Sequence, residues 1–260
     1  MSQEELSQMG SSKVYLTDHL GIRCISKKNT SLVELVFYQQ IAPVLREQGV
    51  NIPELIDINE NDLFIEYIPR KITLCDLCKK AEMYKQLAII HNCSLPYLKC
   101  LKTHSWTNEQ TKRALAILNL PKSSEDTLIR VCQQSSILFQ LNNYISGDTN
   151  DGNWGIRENN ELVLFDWERF GKGSPAIDLA PLVKGMGNKD AYTDIIEHYT
   201  KYNPNSNATE LFKHIIISKA WLVVEVTNLL TERNNSMSNK YVKWYNKNLP
   251  AWFDEIKVFF

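Results

Sequence analysis

Apolar and polar positions alternate along residues 13–28 on either side of a turn near Asp18–Gly21, which predicts a β-hairpin. From residue 31 the spacing lengthens, and residues 31–48 read as a helix. Ser31 and Glu34 form its capping-box signal, Pro43 predicts a kink or split inside it, and Gly49 closes it. Residues 54–58 and 62–68 read as a second strand pair, ended by Pro69 and Arg70. Leu74, Leu77, Ala81, Tyr84, Leu87, Ala88 and His91 recur at three- and four-residue steps and predict helix. Further helices are expected over 107–118, 124–140 and about 188–202, 208–232 and 238–256. Between them lie a loop, Ser146 to Trp154, and a short apolar strand, Leu162 to Phe165. A strand-rich first quarter followed by a helix-rich remainder implies an α+β chain. We expect a small lobe with an antiparallel sheet over residues 1–68, a hinge near 64–70, and a larger, mostly helical lobe over 69–260.

Composition narrows the function. The 260 residues are 43% hydrophobic and 23% charged, as in ordinary globular proteins. With 29 basic and 30 acidic residues, no overall charge draws the chain to nucleic acid or an anionic membrane. The N-terminus has no apolar run of the signal-peptide kind. Ile215 to Leu230 is apolar but broken by Lys219 and Glu225, so no membrane span is expected. A cytoplasmic setting follows, and the six cysteines are expected to be thiols.

One stretch carries chemistry: Ser146-Gly-Asp148-Thr-Asn-Asp-Gly-Asn153, then Leu164-Phe-Asp166-Trp-Glu168. Two glycines among short polar residues make a functional loop. Asp166 ends a buried strand and faces a loop that offers an Asp and an Asn. Such hard oxygen donors suit Mg²⁺. Any one of them reads equally well as a turn residue; the constellation does not.

The runs S-G-D-T-N-D-G-N, V-L-F-D-W-E and G-S-P-A-I-D-L-A resemble the aminoglycoside phosphotransferase and choline kinase superfamily. Its pattern is roughly H-G-D-x-x-x-x-N, an I-D-W-E-type strand end, and G-x-P-x-x-D-L-A. The resemblance implies a bilobal protein-kinase-like fold with ATP between the lobes. It implies that Asp148 orients or deprotonates an acceptor hydroxyl, and that Asn153 and Asp166 hold Mg²⁺ on the phosphates. Ser146 stands where the family usually has a His that supports the catalytic loop. The family also needs a strand Lys over the phosphates and a helix Glu beside it. Lys27 is the choice, with Ile25 on the same strand face, and Lys28 and Arg23 compete for the role. Glu34 is its partner, unless it serves only as the capping-box residue. Gly10-Ser11-Ser12 is the candidate phosphate loop. Phe64 to Ile68, with Phe64, Glu66 and Ile68 as cofactor-binding positions, is the hinge that reads adenine through its backbone. Asp178 braces the catalytic loop by analogy; Glu168 joins the metal site or faces the acceptor.

The implied partner is a small-molecule hydroxyl acceptor: an aminoglycoside, choline or ethanolamine, homoserine, thiamine or a sugar. No D-F-G, A-P-E or activation loop supports a protein kinase. The alternative is a pseudokinase that binds nucleotide or a protein partner without turnover. Cys75-x-x-Cys78 lacks a second ligand pair and reads as two small hydrophobes at a helix start. Trp221, Tyr241, Trp244, Tyr245 and Trp252 read as helix packing in preference to an ammonium cage.

Overall fold

In the computed structural model, residues 4–5, 13–95 and 100–260 are described. They fall into two compact units, 1–103 with 143–172, and 104–142 with 173–260. The lobe boundary expected near residue 68 falls inside the first unit.

Among the described residues, all the strands are in the first unit. Its main sheet is antiparallel, with order β1-β2-β3-β5-β4 for β1 (Glu4–Glu5), β2 (Lys13–His19), β3 (Ile22–Lys28), β4 (Leu55–Asn59) and β5 (Asp62–Glu66). The β2–β3 hairpin turns through Leu20 and Gly21, both at positive φ (51° and 78°). Two left-handed residues give the turn whose twist matches the flanking strands. Register runs from Lys13↔Lys28 to His19↔Ile22, as the alternation anticipates.

The helix expected over 31–48 is three segments. These are α1 (Leu32–Val36), a π turn (Phe37–Ile41) and α2 (Ala42–Glu47). Pro43, in the first turn of α2, is the reason: it has no N–H to give and its ring crowds the preceding turn. Phe37 from the π turn stacks on Trp167 at 4.1 Å, and both are fully buried. Burying a ring of this kind contributes roughly 1.5–3 kcal/mol.

Two smaller sheets follow. β6 (Arg70–Lys71), β8 (Trp154–Ile156) and β9 (Leu162–Leu164) form one in the order β6-β8-β9; β7 (Tyr144–Ile145) and β10 (Gly171–Lys172) form the other. Gly155 must be glycine here, because a Cβ would stand 2.6 Å from Ile68 Cγ2 and 3.1 Å from the Arg70 carbonyl. The pattern that begins at Leu74 is two helices, α3 (Leu74–Leu77) and α4 (Ala81–Asn92). Cys75 in α3 is exposed, so it is no buried hydrophobe. α4 anchors β9. Gln86 Nε2 donates to the Leu162 carbonyl at 2.9 Å, and Glu82 accepts from Leu162 N–H at 3.2 Å.

The second unit is helical: α5 (Asn108–Ile117), α6 (Lys122–Gln133), α7 (Ser136–Phe139), α8 (Ala176–Leu179), α9 (Lys189–Thr200), α10 (Ala208–Glu232) and α11 (Ser238–Ile256). The segment expected as one helix over 124–140 is α6 and α7 with a break at 134–135. Thr107 and Gln110 form a complete capping box at the start of α5. α10 is long and apolar enough to cross a membrane by length and composition, but 67% of its most apolar window is buried inside the fold. Ile215, Ile216, Ile217, Ala220, Val223 and Val224 supply that buried surface.

Candidate active site

Lys27 is near the end of β3 and almost fully buried. Its Nζ donates to the Glu34 carboxylate at 2.7 Å and to Asp166 Oδ1 at 2.8 Å, across 139 residues of sequence. The strand brings the lysine, the first turn of α1 brings Glu34, and the end of β9 brings Asp166. Ser31 Oγ accepts from Glu34 N–H at 3.3 Å, which is half of a capping box. The Glu34 side chain is turned to Lys27 instead of completing it. The competitors point elsewhere. Lys28 pairs with Asp62 at 2.5 Å, and the Arg23 guanidinium lies 5.6 Å from the Tyr67 ring centroid.

Burial alone would lower the Lys27 pKa, but Glu34 and then Asp166 outweigh it and hold the ammonium firmly charged. Glu34 is fully buried, which pushes its carboxyl up, and Lys27 opposes that push. The Trp167 N–H adds a hydrogen bond to Glu34 Oε1 at 3.3 Å.

Asp166 takes φ of 67°, a left-handed conformation that Asp tolerates better than most side chains. The residue before it is zipped to the loop: Phe165 N–H donates to the Asn153 carbonyl at 3.0 Å. Asn153 closes a 3₁₀ turn, Asp151–Asn153, and its Nδ2 donates to the Asp148 carbonyl at 3.0 Å. That bond turns the amide so that its oxygen is the atom left to bind a ligand. Asn150 shapes the turn. Its Oδ1 accepts from Gly152 N–H at 2.8 Å and its Nδ2 donates to Asp148 Oδ1 at 2.6 Å. Asp148 has its pKa raised, chiefly by burial and further by the Asp166 charge, against the pull of Arg169 and Asn150. Arg169 Nε in turn donates to the Gly147 carbonyl at 2.9 Å.

Lys27 is thus in direct contact with both Glu34 and Asp166. Asp148 and Asn153 share the loop tied to the same strand end. The hinge candidates lie at β5 and just past it. Phe64 stacks on His19 at 3.8 Å, the Glu66 carboxylate is taken by Arg157 at 2.7 Å, and Ile68 packs over Gly155. Gly10-Ser11-Ser12 lies outside the described residues. Asp178, in α8, and Ser146 are both fully buried. Sequence reasoning passed over Asn150 and Arg169. An Asn two before a Gly was the available signal for the first; nothing in the local pattern marked the second.

The donor set suits Mg²⁺. Among the described residues no three His, Cys, Asp or Glu side chains are grouped to hold a metal by themselves. Asn153 and Asp166 offer two hard oxygens, and Mg²⁺ typically takes one or two protein side chains along with phosphates and water.

No protein-family model matches the chain. Solved structures do. The chain is similar to the choline kinase LicA of Streptococcus pneumoniae, with TM-score 0.63, 18% identity, and coverage of 95% of this chain and 91% of that one. It is similar to the macrolide 2'-phosphotransferase MphH of Brachybacterium faecium, with TM-score 0.66, 10% identity, and coverage of 95% and 91%. It is also similar to spectinomycin phosphotransferase APH(9)-Ia, solved with ADP and spectinomycin, with TM-score 0.66, 13% identity, and coverage of 98% and 93%. The resemblance read from the motifs therefore holds at the level of fold, and the chain has the α+β kinase-like fold of these proteins.

Proposed function

We propose that the chain transfers the terminal phosphoryl group of ATP to a hydroxyl of a small molecule, with Mg²⁺. The observation that carries this reading is the convergence of Lys27, Glu34 and Asp166 beside the Asp148–Asn153 loop. Phosphoryl transfer needs positioning and charge neutralisation more than covalent chemistry. Lys27 would leave Asp166 to engage the α- and β-phosphates, with Glu34 keeping the ammonium oriented. Asn153 and Asp166 would hold Mg²⁺, which neutralises phosphate charge when bound. Asp148, with its proton affinity raised by burial, accepts the proton of the acceptor hydroxyl through the carboxylate oxygen that Asn150 does not occupy.

Adenine is read by the backbone of residues 64–68, with Phe64, Glu66 and Ile68 around it, between lobes 1–68 and 69–260. Similar folds solved with AMP and with ADP support the nucleotide. Kinases of choline, a macrolide and spectinomycin among them support a small alcohol acceptor. An ATP-using enzyme of this kind belongs in the cytosol.

The test is ADP release across a panel of amino alcohols, aminoglycosides, macrolides and sugars. Asp148→Asn should lower turnover of the best acceptor about 10²–10⁴-fold while MgATP still binds. Unchanged turnover in Asp148→Asn would remove Asp148 from the chemistry. A second reading, nucleotide binding without turnover, is favoured by Ser146 in place of the family's His. MgATP binding with no ADP release over the whole panel would select it.

A further inference from the structure

Glu34 stands in α1, and beyond α1 the chain opens into the π turn at Phe37–Ile41. Well under 1% of residues adopt π geometry, and single π turns occur frequently at functional sites. Here Pro43 accounts for the turn, and Tyr38 lies within it, buried. Tyr38 is 1% exposed, and its hydroxyl has no hydrogen-bond partner among the described residues. Four residues earlier on the same run, Glu34 Oε2 is equally buried and equally without a hydrogen bond, although Lys27 Nζ lies 2.7 Å away at ion-pair distance. Residues four apart on a helix are neighbours on one face. A donor without a partner and a carboxylate oxygen held only by an ion pair thus stand one turn apart beside the charge cluster. After burial, the Glu34 and Asp166 charges are the largest influences raising the Tyr38 pKa, so the hydroxyl lies within their field.

We propose that Tyr38 is a positioning residue for Glu34: unpaired in the free protein, its hydroxyl takes the carboxylate oxygen that Lys27 leaves without a hydrogen bond once nucleotide is bound. It keeps Glu34 in place when Lys27 exchanges Asp166 for a nucleotide phosphate. The inference rests on the nucleotide reading above.

The test compares wild type with Tyr38→Phe in calorimetric titrations of MgATP and of adenosine, which carries no phosphate for Lys27. The expected result is MgATP affinity weakened on the order of fivefold, the worth of one hydrogen bond, with adenosine affinity unchanged. The unfolding midpoint of the free protein should stay level or rise, because an unpaired buried hydroxyl is removed. Equal affinities in the two proteins would overturn the proposal. Equal weakening of MgATP and adenosine would also overturn it, since a loosened fold gives that pattern. Wild-type protein that binds neither ligand would overturn the nucleotide reading itself, and the role of Tyr38 with it.

Discussion

Each unit buries a lysine, and the two are treated in opposite ways. In the first unit Lys27 meets two carboxylates within 2.8 Å and is held charged. In the second, Lys219 of α10 meets only carbonyls among the described residues: its Nζ donates to Val183 O at 2.5 Å and to Gly185 O at 2.7 Å. Burial with no opposite charge pushes its pKa down to about 7. A buried ammonium amid carboxylates is one member of a charged cluster, held by its counter-ions. A buried ammonium on backbone carbonyls is a clamp, here on the segment 183–187 that turns through the left-handed Gly185 and Gly187. Gly187 could take no side chain without meeting Val183 Cγ1 at 2.4 Å. Burial alone therefore does not fix the charge state of a lysine; the carboxylates around it do.

The comparison can be broken by mutation. Lys27→Met leaves Glu34 buried without its counter-charge, and should cost about 3–5 kcal/mol in denaturant unfolding. Lys219→Met removes a buried charge but strands two carbonyls, and the two effects partly cancel. Its loss should stay below about 2 kcal/mol near neutral pH. If Lys219→Met proved the more damaging, the contrast would be wrong.

The same pair separates by pH. Between about 7 and the ordinary 10.5, unfolded Lys219 holds a proton that the folded side chain has released. The unfolded state then binds more protons, so stability contributed by this site rises with pH in that window. Lys27 has its folded pKa raised above 10.5, so its contribution is complete below that and is lost only as pH climbs further. Unfolding midpoints from pH 7 to 9 should therefore rise more steeply in wild type than in Lys219→Met, and Lys27→Met should also flatten the slope, because Glu34 without the opposing ammonium keeps a proton in the fold that the unfolded chain has released. The smallest effect belongs to a cap: Thr107→Ala, which dismantles the α5 capping box, should cost about 1 kcal/mol in the same assay.

The sequence made the hairpin legible because alternation and a Gly at the turn agree. The loop from Ser146 to Asn153 was legible because its residues make poor helix and poor strand. What it hid depends on distance along the chain. The Lys27–Asp166 contact joins positions 139 apart, and no local pattern reports that. The commitment of Glu66 to Arg157 spans 91 residues and escaped for the same reason. The π turn was half legible, since Pro43 announced a break but not its form. Lys219 was read only as an interruption in an apolar run, because its partners are carbonyls, which leave no trace in residue type.

The most direct test of the account is the thermal unfolding midpoint with ATP, with and without Mg²⁺. A ligand at 100 times its Kd adds about 2.7 kcal/mol, and each kcal/mol moves the midpoint roughly 2–4 °C in a chain of this size. The account expects a rise of several degrees that requires Mg²⁺ and shrinks in Asp166→Asn. A midpoint that ATP leaves unmoved, with or without Mg²⁺, would contradict it.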